Sequence, residues 1–499
     1  MKEAMHGISE LLVSLLAKRG MTDEKAIQEF LEPNFERDSH DPHLLHDIES
    51  ATTRILRAVT EKEMIAVYAD FDCDGIPGAV VLHDFFKKIG HSNLEIYIPH
   101  RDREGYGFHV EAIEALASRG VSLIITIDVG TTAVESVKRA NELGVDVIVT
   151  DHHEIVNELP TAHAIVNPKL GEYPFRDLCG AAVAWKLACA VLHEGRKREL
   201  PAFTAIQEGW EKWLLDMVGI ATVADLVPLI GENRAFVYFG LTVLRKSKRP
   251  GIRALVSHLR LIQAELTETD IGFSIGPRIN AASRMGEPEL AFRLLATTDM
   301  AEADRLARHL EALNAERKTT VGVIVREAKK RARARYTDKK VVVLGDVAWR
   351  PALLGLAANS VMGDRGGVVC LWGRDAQGRL KGSCRSDGSV SIVDLFAGAK
   401  ESLEEYGGHT FSGGFSVSHD AVHALPEVFE SAVAQLSSTV VEEQTHDVEI
   451  SLRDISSGLL SELSRLAPFG IGNPKPLIRI SGSAIGSVRA FGKEKNHIE

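Results

Sequence analysis

The stretch that decides the fold is MIAVYADFDCDG, residues 64–75. Its first five residues form a short apolar run without alternation, which is typical of a strand buried on both faces. A helical pattern follows at 79–89. The same order then repeats, with strands at 94–98, 123–127 and 145–150 and helices at 109–118 and 132–143. This alternation predicts an α/β domain with a doubly wound, mostly parallel sheet and right-handed crossovers.

Acidic side chains follow three of these predicted strands. Asp70, Asp72 and Asp74 come after the first strand, Asp128 after the third, and Asp151-His152-His153 after the fourth. The carboxyl ends of parallel strands meet at one edge of a sheet, where ligands bind. Neighbouring carboxylates resist ionisation unless a cation offsets their charge. The pattern therefore predicts a metal site, and carboxylates with an imidazole suit Mn²⁺ or Mg²⁺.

Two other interpretations of these acids exist. The spacing Asp-x-Asp-x-Asp-Gly resembles the start of a calcium-binding EF-hand loop, but the twelfth position, which needs Glu, is Val81. A single Asp after a strand is also a common helix cap, and this interpretation stays open for Asp128 taken alone. The coincidence of acids after three strands is what favours metal.

Composition narrows the class of protein. The 499 residues are 45% hydrophobic and 25% charged, which excludes a disordered chain. No apolar run approaches about 18 residues, so no membrane span is expected. Five cysteines without CxxC spacing predict a reducing, cytoplasmic environment rather than a disulfide framework or a zinc site.

Charge is spread unevenly along the chain. The net charge is −11, yet residues 316–340 contain ten Lys or Arg against three Asp or Glu. Such a run is either a solvated helix face or a basic track for a polyanion, and the composition alone does not decide between them.

The pattern beyond residue 150 predicts further units. Helical stretches lie at about 179–220, 235–244 and 290–335, a second αβ region begins with a strand at 341–344, and 446–499 is β-rich. The predicted division is an N-terminal helical segment (1–60), a first α/β domain (61–235), a helical connector (236–338), a second α/β domain (339–438) and a C-terminal segment (439–499).

Eleven motifs resemble the DHH phosphoesterase superfamily and, within it, the RecJ family of single-strand-specific 5′→3′ DNA exonucleases. They are YADFDCDG (68–75), YIPHRDREGYG (97–107), TIDVG (126–130), TDHH (150–153), LCGAAVAWKL (178–187), TVADLVP (222–228), GPRINAASR (276–284), NAER (314–317), KGSCRS (381–386), GGH (407–409) and PFGIGNP (468–474). The resemblance covers nearly the whole chain. It implies a DHH domain, a DHHA1 domain and an OB-fold. The OB-fold is expected to be partial, because residues 446–499 are few for five strands with their loops.

The resemblance also implies roles for individual residues. The expected ligands of two Mn²⁺ or Mg²⁺ ions are Asp72, Asp74, Asp128, His152 and Asp225. Asp128 would bridge the ions, Asp70 would orient Asp72 or His152, and His153 would act at the scissile phosphate together with Asp72 and Asp128. The residues expected to grip the 5′-phosphate are Arg101, Ser383 and Arg385, and those expected to contact the strand are His409, Arg278 and Arg284. Without the resemblance, we would interpret Arg101 and Arg385 as ordinary surface arginines. We would interpret His153 as a residue that makes a structural hydrogen bond.

The implied function is metal-dependent hydrolysis of single-stranded DNA from its 5′ end to mononucleotides, in DNA repair and recombination. Expected partners are single-stranded DNA, a single-strand-binding protein and a helicase, for a monomeric cytoplasmic enzyme. One alternative is a DHH phosphodiesterase acting on short oligoribonucleotides or cyclic dinucleotides. Another is a non-catalytic scaffold, which is disfavoured because such scaffolds lose the acids that are all present here.

Overall fold

The computed structural model describes residues 8–155, 158–337, 339–436, 446–482, 484, 486–492 and 497–499. The N-terminal segment is helical, as predicted, and its residues 1–7 lie outside the described part. Its helices are α1 (Glu10–Lys18), α2 (Glu24–Leu31), α3 (Phe35–Asp38) and α4 (Ile48–Glu61). The first two begin with capping side chains, since Ser9 accepts from the Leu12 amide and Asp23 from that of Ala26.

The first domain contains a parallel sheet of five strands. They are β1 (Met64–Ala69), β2 (Leu94–Tyr97), β3 (Val121–Ile127), β4 (Asp146–Thr150) and β5 (Ala164–Val166), in the spatial order β2-β1-β3-β4-β5. The helices along this part of the chain are α5 (Gly75–Lys88), α6 (Val110–Ser118), α7 (Val134–Glu142), α8 (Gly180–Lys197), α9 (Pro201–Thr204) and α10 (Leu215–Ala224). Strands β1, β3, β4 and β5 are almost fully buried because helices cover both sheet faces, whereas the edge strand β2 is half-buried.

The two faces have separate apolar cores. Helices α4, α5 and α8 pack on one face, and α6 and α7 on the other. This confirms the predicted doubly wound α/β fold. The short strand β5 was not predicted, because three residues are too few to show a pattern.

Helices form the connector. They are α11 (Gly231–Lys246), α12 (Pro250–His258), α13 (Glu268–Asp270), α14 (Gly276–Arg284), α15 (Pro288–Ala296) and α16 (Met300–Arg335). Helix α16 has 36 residues, about 54 Å at 1.5 Å per residue. Its first half packs on α12, α14 and α15 and its second half on the next domain, so one helix joins the two sheets.

The second domain contains a mixed sheet. Its elements are β6 (Val341–Gly345), α17 (Pro351–Arg365), β7 (Val368–Arg374), β8 (Leu380–Ser386), α18 (Ile392–Gly398), β9 (Glu405–His409), β10 (Ser412–Val417) and α19 (Leu425–Gln435). The strand order is β6-β7-β8-β10-β9, and only β6 and β7 are parallel. Strands β8 to β10 were not predicted, because their Gly- and Ser-rich sequences lack apolar alternation.

One prediction about cysteine was wrong. The register of β7 and β8 pairs Cys370 with Cys384, and the structure joins them as a disulfide. The two cysteines are 14 residues apart, and this spacing does not by itself indicate a disulfide. Cys73, Cys179 and Cys189 are free.

The C-terminal segment contains two pairs of strands. Strand β11 (Val448–Ser451) lies parallel to β12 (Ile478–Ser481), and β13 (Ala490–Phe491) lies antiparallel to β14 (His497–Ile498). Helix α20 (Ser457–Ser464) separates β11 from β12. Strands β11 and β12 agree with the predicted β-rich character of 446–499, whereas residues 439–445 lie outside the described part. No helix in the described ranges combines the length and apolarity that a membrane crossing requires.

Candidate metal centre and adjoining cleft

The acids gather where the strand order changes direction. Strands β1 and β3 are neighbours, and the chain goes from β1 to β2 on one side and to β3 on the other. Such a switch point leaves a crevice beyond the carboxyl ends of the strands. Asp70 follows β1, Asp128 follows β3 and Asp151 follows β4, so the sheet itself brings them to this crevice.

Asp128 has an unusual backbone conformation. Its φ is 61°, in the left-handed region that non-glycine residues rarely adopt. The Asp128 amide donates to the Thr150 carbonyl at 2.9 Å, which ties the residue to β4. Gly180 packs directly on it, since a Cβ at Gly180 would lie 2.6 Å from the Asp128 Cβ. The position of Asp128 therefore depends on the glycine that begins α8.

Asp72 and Asp74 each accept backbone hydrogen bonds at a helix start. Asp72 Oδ1 accepts from the Asp74 and Gly75 amides at 2.8 and 3.2 Å. The two oxygens of Asp74 accept from the Gly180 and Ala181 amides at 2.5 and 2.8 Å. These bonds orient both carboxylates and leave further lone pairs for a cation.

His152 faces three of the expected ligands. Its Nε2 lies 3.1 Å from Asp128 Oδ1, 3.6 Å from Asp74 Oδ2 and 3.7 Å from Asp225 Oδ2. Burial and the neighbouring His153 lower the pKa of His152 to about 4. The imidazole is thus neutral near pH 7, which is the form that binds metal.

His153 differs from His152 in that its surroundings raise its pKa instead of lowering it. Its Nδ1 lies 2.7 Å from Asp151 Oδ1, and that oxygen also accepts from the backbone amides of both histidines. Burial opposes charge on His153, but the bond to Asp151 prevails and raises the pKa of His153 to about 9. The Tyr106 hydroxyl lies 3.2 Å from His153 Nδ1 and donates to the Asp128 carbonyl at 3.3 Å.

The sequence did not assign ligand or orienting roles to Asp151 or Tyr106. Asp151 belongs to the converging acids, but only the folded chain shows that it holds His153. Tyr106 belongs to the motif at 97–107, for which the resemblance implied a role only for Arg101.

The cluster is electrostatically suited to cations. Burial, and then repulsion by neighbouring carboxylates, raises the pKa of Asp70, Asp74 and Asp128 well above the usual range. The same causes raise the pKa of Asp225 to about 7, with Asp72 as the main neighbour. Asp70 Oδ1 and Asp128 Oδ1 are buried and accept no hydrogen bond. Acceptors that lack donors in this way fit divalent cations.

Among the residues that the structure describes, three groups of side chains have ligand atoms within 4.8 Å of one another. They are Asp128-His152-His153, Asp74-His152-Asp225 and Asp70-Asp72-Asp128. Asp128 belongs to two groups, so the residues fit two neighbouring cations that share it. Asp70, expected from the sequence to orient other residues, offers a ligand atom of its own.

A basic pocket adjoins this cluster. Arg101, in the loop after β2, lies over the Phe71 ring at 4.7 Å, and Ser383 and Arg385 lie on β8. Arg385 donates to the Ser383 hydroxyl at 3.0 Å. Burial and then Arg101 lower the pKa of both Arg385 and Arg284, the latter to about 9 with Arg385 as a further cause. Guanidinium groups that repel one another in a buried pocket favour an anionic ligand.

A cavity of about 550 Å³ opens between the two α/β domains at this point. Its lining includes Phe71, Arg101, Tyr106, Lys381, Ser383 and Tyr406. Tyr106 lines the cavity and contacts His153, so the basic pocket and the acidic cluster adjoin at this residue.

The two remaining predicted strand contacts have different surroundings. Arg278 is buried in α14, where it pairs with Glu311 at 2.5 Å and donates to the Ser274 carbonyl. His409 ends the exposed strand β9. The structure therefore brings Arg101, Ser383, Arg385 and Arg284 together, but directs the Arg278 guanidinium into the connector.

Arg249 connects two helices that carry expected ligands. Its guanidinium pairs with Asp84 of α5 at 2.5 Å and with Asp216 of α10 at 2.8 Å. Helix α5 begins directly after Asp74, and α10 ends directly before Asp225. One half-buried side chain thus joins the far ends of both helices.

Two family models match the chain. The model of the DHH family N-terminal domain matches residues 64–222, and that of the RecJ OB domain matches residues 446–499. Both agree with the observed placement of the parallel sheet and the C-terminal segment.

Relatives match over most of the chain. The single-stranded-DNA-specific exonuclease RecJ of Bacillus subtilis is 34% identical over 100% of this chain, which spans 62% of that relative. The proteins of the same name from Haemophilus influenzae and Escherichia coli are each 30% identical. They cover 92% and 87% of this chain, which spans 81% and 77% of their respective lengths.

Solved structures agree with these relatives. RecJ from Thermus thermophilus in complex with Mn²⁺ superposes with a TM-score of 0.83 at 28% identity, covering 97% of this chain and 68% of that one. An exonuclease RecJ bound to manganese superposes with a TM-score of 0.67 at 31% identity, covering 79% and 96%. Together with the acids at the switch point and the basic pocket between the domains, these similarities show that the chain belongs to the RecJ family.

Proposed function

We propose that this chain is a metal-dependent exonuclease that hydrolyses single-stranded DNA from its 5′ end and releases 5′-mononucleotides. The observation that carries the proposal is the single cleft in which a carboxylate cluster suited to two divalent cations adjoins a pocket of arginines suited to a phosphate. Relatives that cover most of the chain are named single-stranded-DNA-specific exonucleases, and two solved relatives contain Mn²⁺.

We assign the cation site to Asp72, Asp74, Asp128, His152 and Asp225, with Asp70 as an additional ligand. When bound, Mn²⁺ or Mg²⁺ ions activate water and offset phosphate charge. The carboxylates hold the negative charge that keeps two dications close together. Neutral His152 supplies a nitrogen ligand without adding positive charge.

His153 acts on the scissile phosphate. Because Asp151 keeps the imidazole protonated near neutral pH, the ring can donate to a non-bridging phosphoryl oxygen whose charge grows in the transition state. The Tyr106 hydroxyl also contacts the ring, 3.2 Å from Nδ1. Asp151 and Tyr106 are therefore positioning residues for His153.

The basic pocket sets the direction of cleavage. Arg101, Ser383 and Arg385 would hold the 5′-terminal phosphate, so that the first phosphodiester lies at the acidic cluster. Hydrolysis that breaks its P–O3′ bond leaves a 3′-hydroxyl on the released mononucleotide and a new 5′-phosphate on the remaining strand. Each cut thereby regenerates the group that the pocket recognises.

The finer predictions from the sequence also remain proposals. They are contacts of His409 and Arg284 with the strand, a monomeric state, a cytoplasmic location, work in DNA repair beside a single-strand-binding protein and a helicase, and the five domains as bounded above. A closed cleft too narrow for a duplex would explain a preference for single strands.

The test uses end-labelled DNA with Mn²⁺ or Mg²⁺. We expect a 5′-phosphorylated single strand to release 5′-mononucleotides, while a blunt duplex reacts far more slowly. Asp128→Ala should abolish turnover without loss of folding, and Arg385→Ala should weaken the preference for a 5′-phosphate. Digestion from the 3′ end, equal rates on duplex, or faster hydrolysis of a cyclic dinucleotide would contradict the proposal.

A further inference from the structure

A loop of the C-terminal segment docks on the backbone that follows Asp225. The Leu229 amide donates to the Ile471 carbonyl at 2.7 Å. Gly470 packs on the Leu229 side chain so closely that a Cβ there would lie 2.6 Å from Leu229 Cδ1 and 2.8 Å from Cγ. Gly472 also lies beside this segment, since a Cβ there would lie 3.2 Å from Ile230 Cγ2 and 3.5 Å from Pro228 Cβ. The loop at 466–474 and the segment at 225–230 are therefore in direct contact.

Arg234 fastens this loop to α11. The side chain is 4% exposed, and its Nη1 donates to the Leu466 and Pro468 carbonyls at 3.0 and 3.3 Å. Its Nη2 donates to the Phe30 and Arg465 carbonyls at 3.2 and 3.4 Å. Hydrogen bonds from a charged donor are the stronger class, so the loop is held firmly.

Asn473 makes the loop rigid from inside. Its side chain is 1% exposed, and Nδ2 donates to the Leu466 and Pro468 carbonyls, both at 2.8 Å. Gly470 and Asn473 also exchange backbone hydrogen bonds at 2.9 and 3.1 Å. A loop closed on itself in this way presents a fixed surface to Leu229.

The segment under the loop has no regular structure. Asp225 caps the end of α10, Leu226 has a left-handed φ of 65°, and regular structure resumes only at Gly231. The Asp225 amide bonds to Ala221, and helix α11 holds the other end of the segment, because Asn233 donates to the Pro228 carbonyl at 3.1 Å and the Arg234 amide to the Ile230 carbonyl at 3.2 Å. The bond from Leu229 to Ile471 adds a contact from the loop between these two ends.

We propose that the loop at 466–474 holds Asp225 in position. Through this contact, the C-terminal segment sets the affinity of the first α/β domain for its cations. This inference rests on the proposed function, in which Asp225 is a metal ligand. The inference gives this loop of the C-terminal segment a role in the metal site that is separate from any contact with DNA. Loss of residues that support a ligand typically weakens metal affinity about 10- to 100-fold.

The test is Gly470→Ala, with Mn²⁺ binding measured by calorimetry on the full chain. The added methyl group would displace Leu229, and we expect the dissociation constant of one Mn²⁺ ion to rise about tenfold. The KM for DNA should stay unchanged, and excess Mn²⁺ should restore kcat. Gly458→Ala is the matched control, because a Cβ there meets only Ser456 Oγ at 3.6 Å.

Adding Leu229→Ala to Gly470→Ala removes the clashing atoms and should recover part of the lost affinity. If Gly470→Ala does not fold, Asn473→Ala loosens the loop without a clash and takes its place. A folded variant with wild-type Mn²⁺ affinity would overturn the inference. If Asp225→Asn leaves wild-type Mn²⁺ binding unchanged, the proposed metal site itself fails, so the two failures are distinguishable.

Discussion

Replacing Asp225 by Asn should stabilise the metal-free protein at pH 8, although it damages the proposed active site. Burial and repulsion by Asp72 raise the pKa of Asp225 from 3.8 to about 7. That difference of about three pKa units corresponds to roughly 4 kcal/mol of unfavourable free energy in the ionised state. The side chain is 23% exposed, and water reduces this cost, so we expect a gain of about 1–3 kcal/mol.

The sign follows from proton linkage. The folded protein holds a proton on Asp225 more tightly than the unfolded chain, so this carboxyl favours folding below pH 4. The advantage is lost as the pH rises through about 7. The stabilisation by Asp225→Asn should therefore be large at pH 8 and nearly absent at pH 4.

The assay is thermal and urea-induced unfolding in EDTA at both pH values. Asp420→Asn, which neutralises an exposed carboxylate outside the site, is the control. Added Mn²⁺ should stabilise the wild type more than Asp225→Asn. Equal stability of wild type and variant at pH 8, or a gain that does not change with pH, would refute the electrostatic reasoning.

Two further substitutions test a close packing contact at Asp128 and a buried ion pair between α8 and α11. Gly180→Ala places a methyl group 2.6 Å from the Cβ of Asp128. This clash should lower the free energy of unfolding by about 1–3 kcal/mol, measured by urea unfolding, and should weaken Mn²⁺ binding, measured by calorimetry. The control Gly363→Ala, with open space around it, should leave the stability unchanged. Lys186→Met removes the only charge paired with the buried carboxylate of Glu232 among the described residues, which keeps its hydrogen bonds from Tyr173 and the His40 amide. The fold should lose about 3–5 kcal/mol, measured by urea unfolding, and adding Glu232→Gln should recover part of the loss. A wild-type midpoint would show that the pair is not important.

The parallel sheet could be predicted because strands buried on both faces leave unbroken apolar runs in the sequence. The acids at the ends of β1, β3 and β4 followed from the same topology. The second sheet was only partly predictable: β6 is apolar, whereas β8, with Ser383 and Arg385, is polar along one side because that side faces the cleft. The exposed strand β9 has no apolar pattern at all.

The finer parts of the site depend on contacts between distant residues. The sequence placed Asp151 among the acids, but it could not show that Asp151 would bond to His153 and so separate the charge states of two adjacent histidines. Nor could it show that Tyr106 would reach the same ring. The left-handed backbone of Asp128 also has no local signal, since it is imposed by the neighbouring strand and by Gly180.

The Arg249 ion pairs have a consequence for mutational screens. Asp84 lies ten residues beyond Asp74 on one helix, about 15 Å along its axis, and Asp216 lies at a similar distance from Asp225 on the other. Loss of the guanidinium would free both helices at once, so inactivating substitutions in a random library need not border the cleft. A search for nuclease-deficient alleles should therefore recover position 249, and compensating changes should cluster at Asp84 and Asp216 rather than beside the substrate.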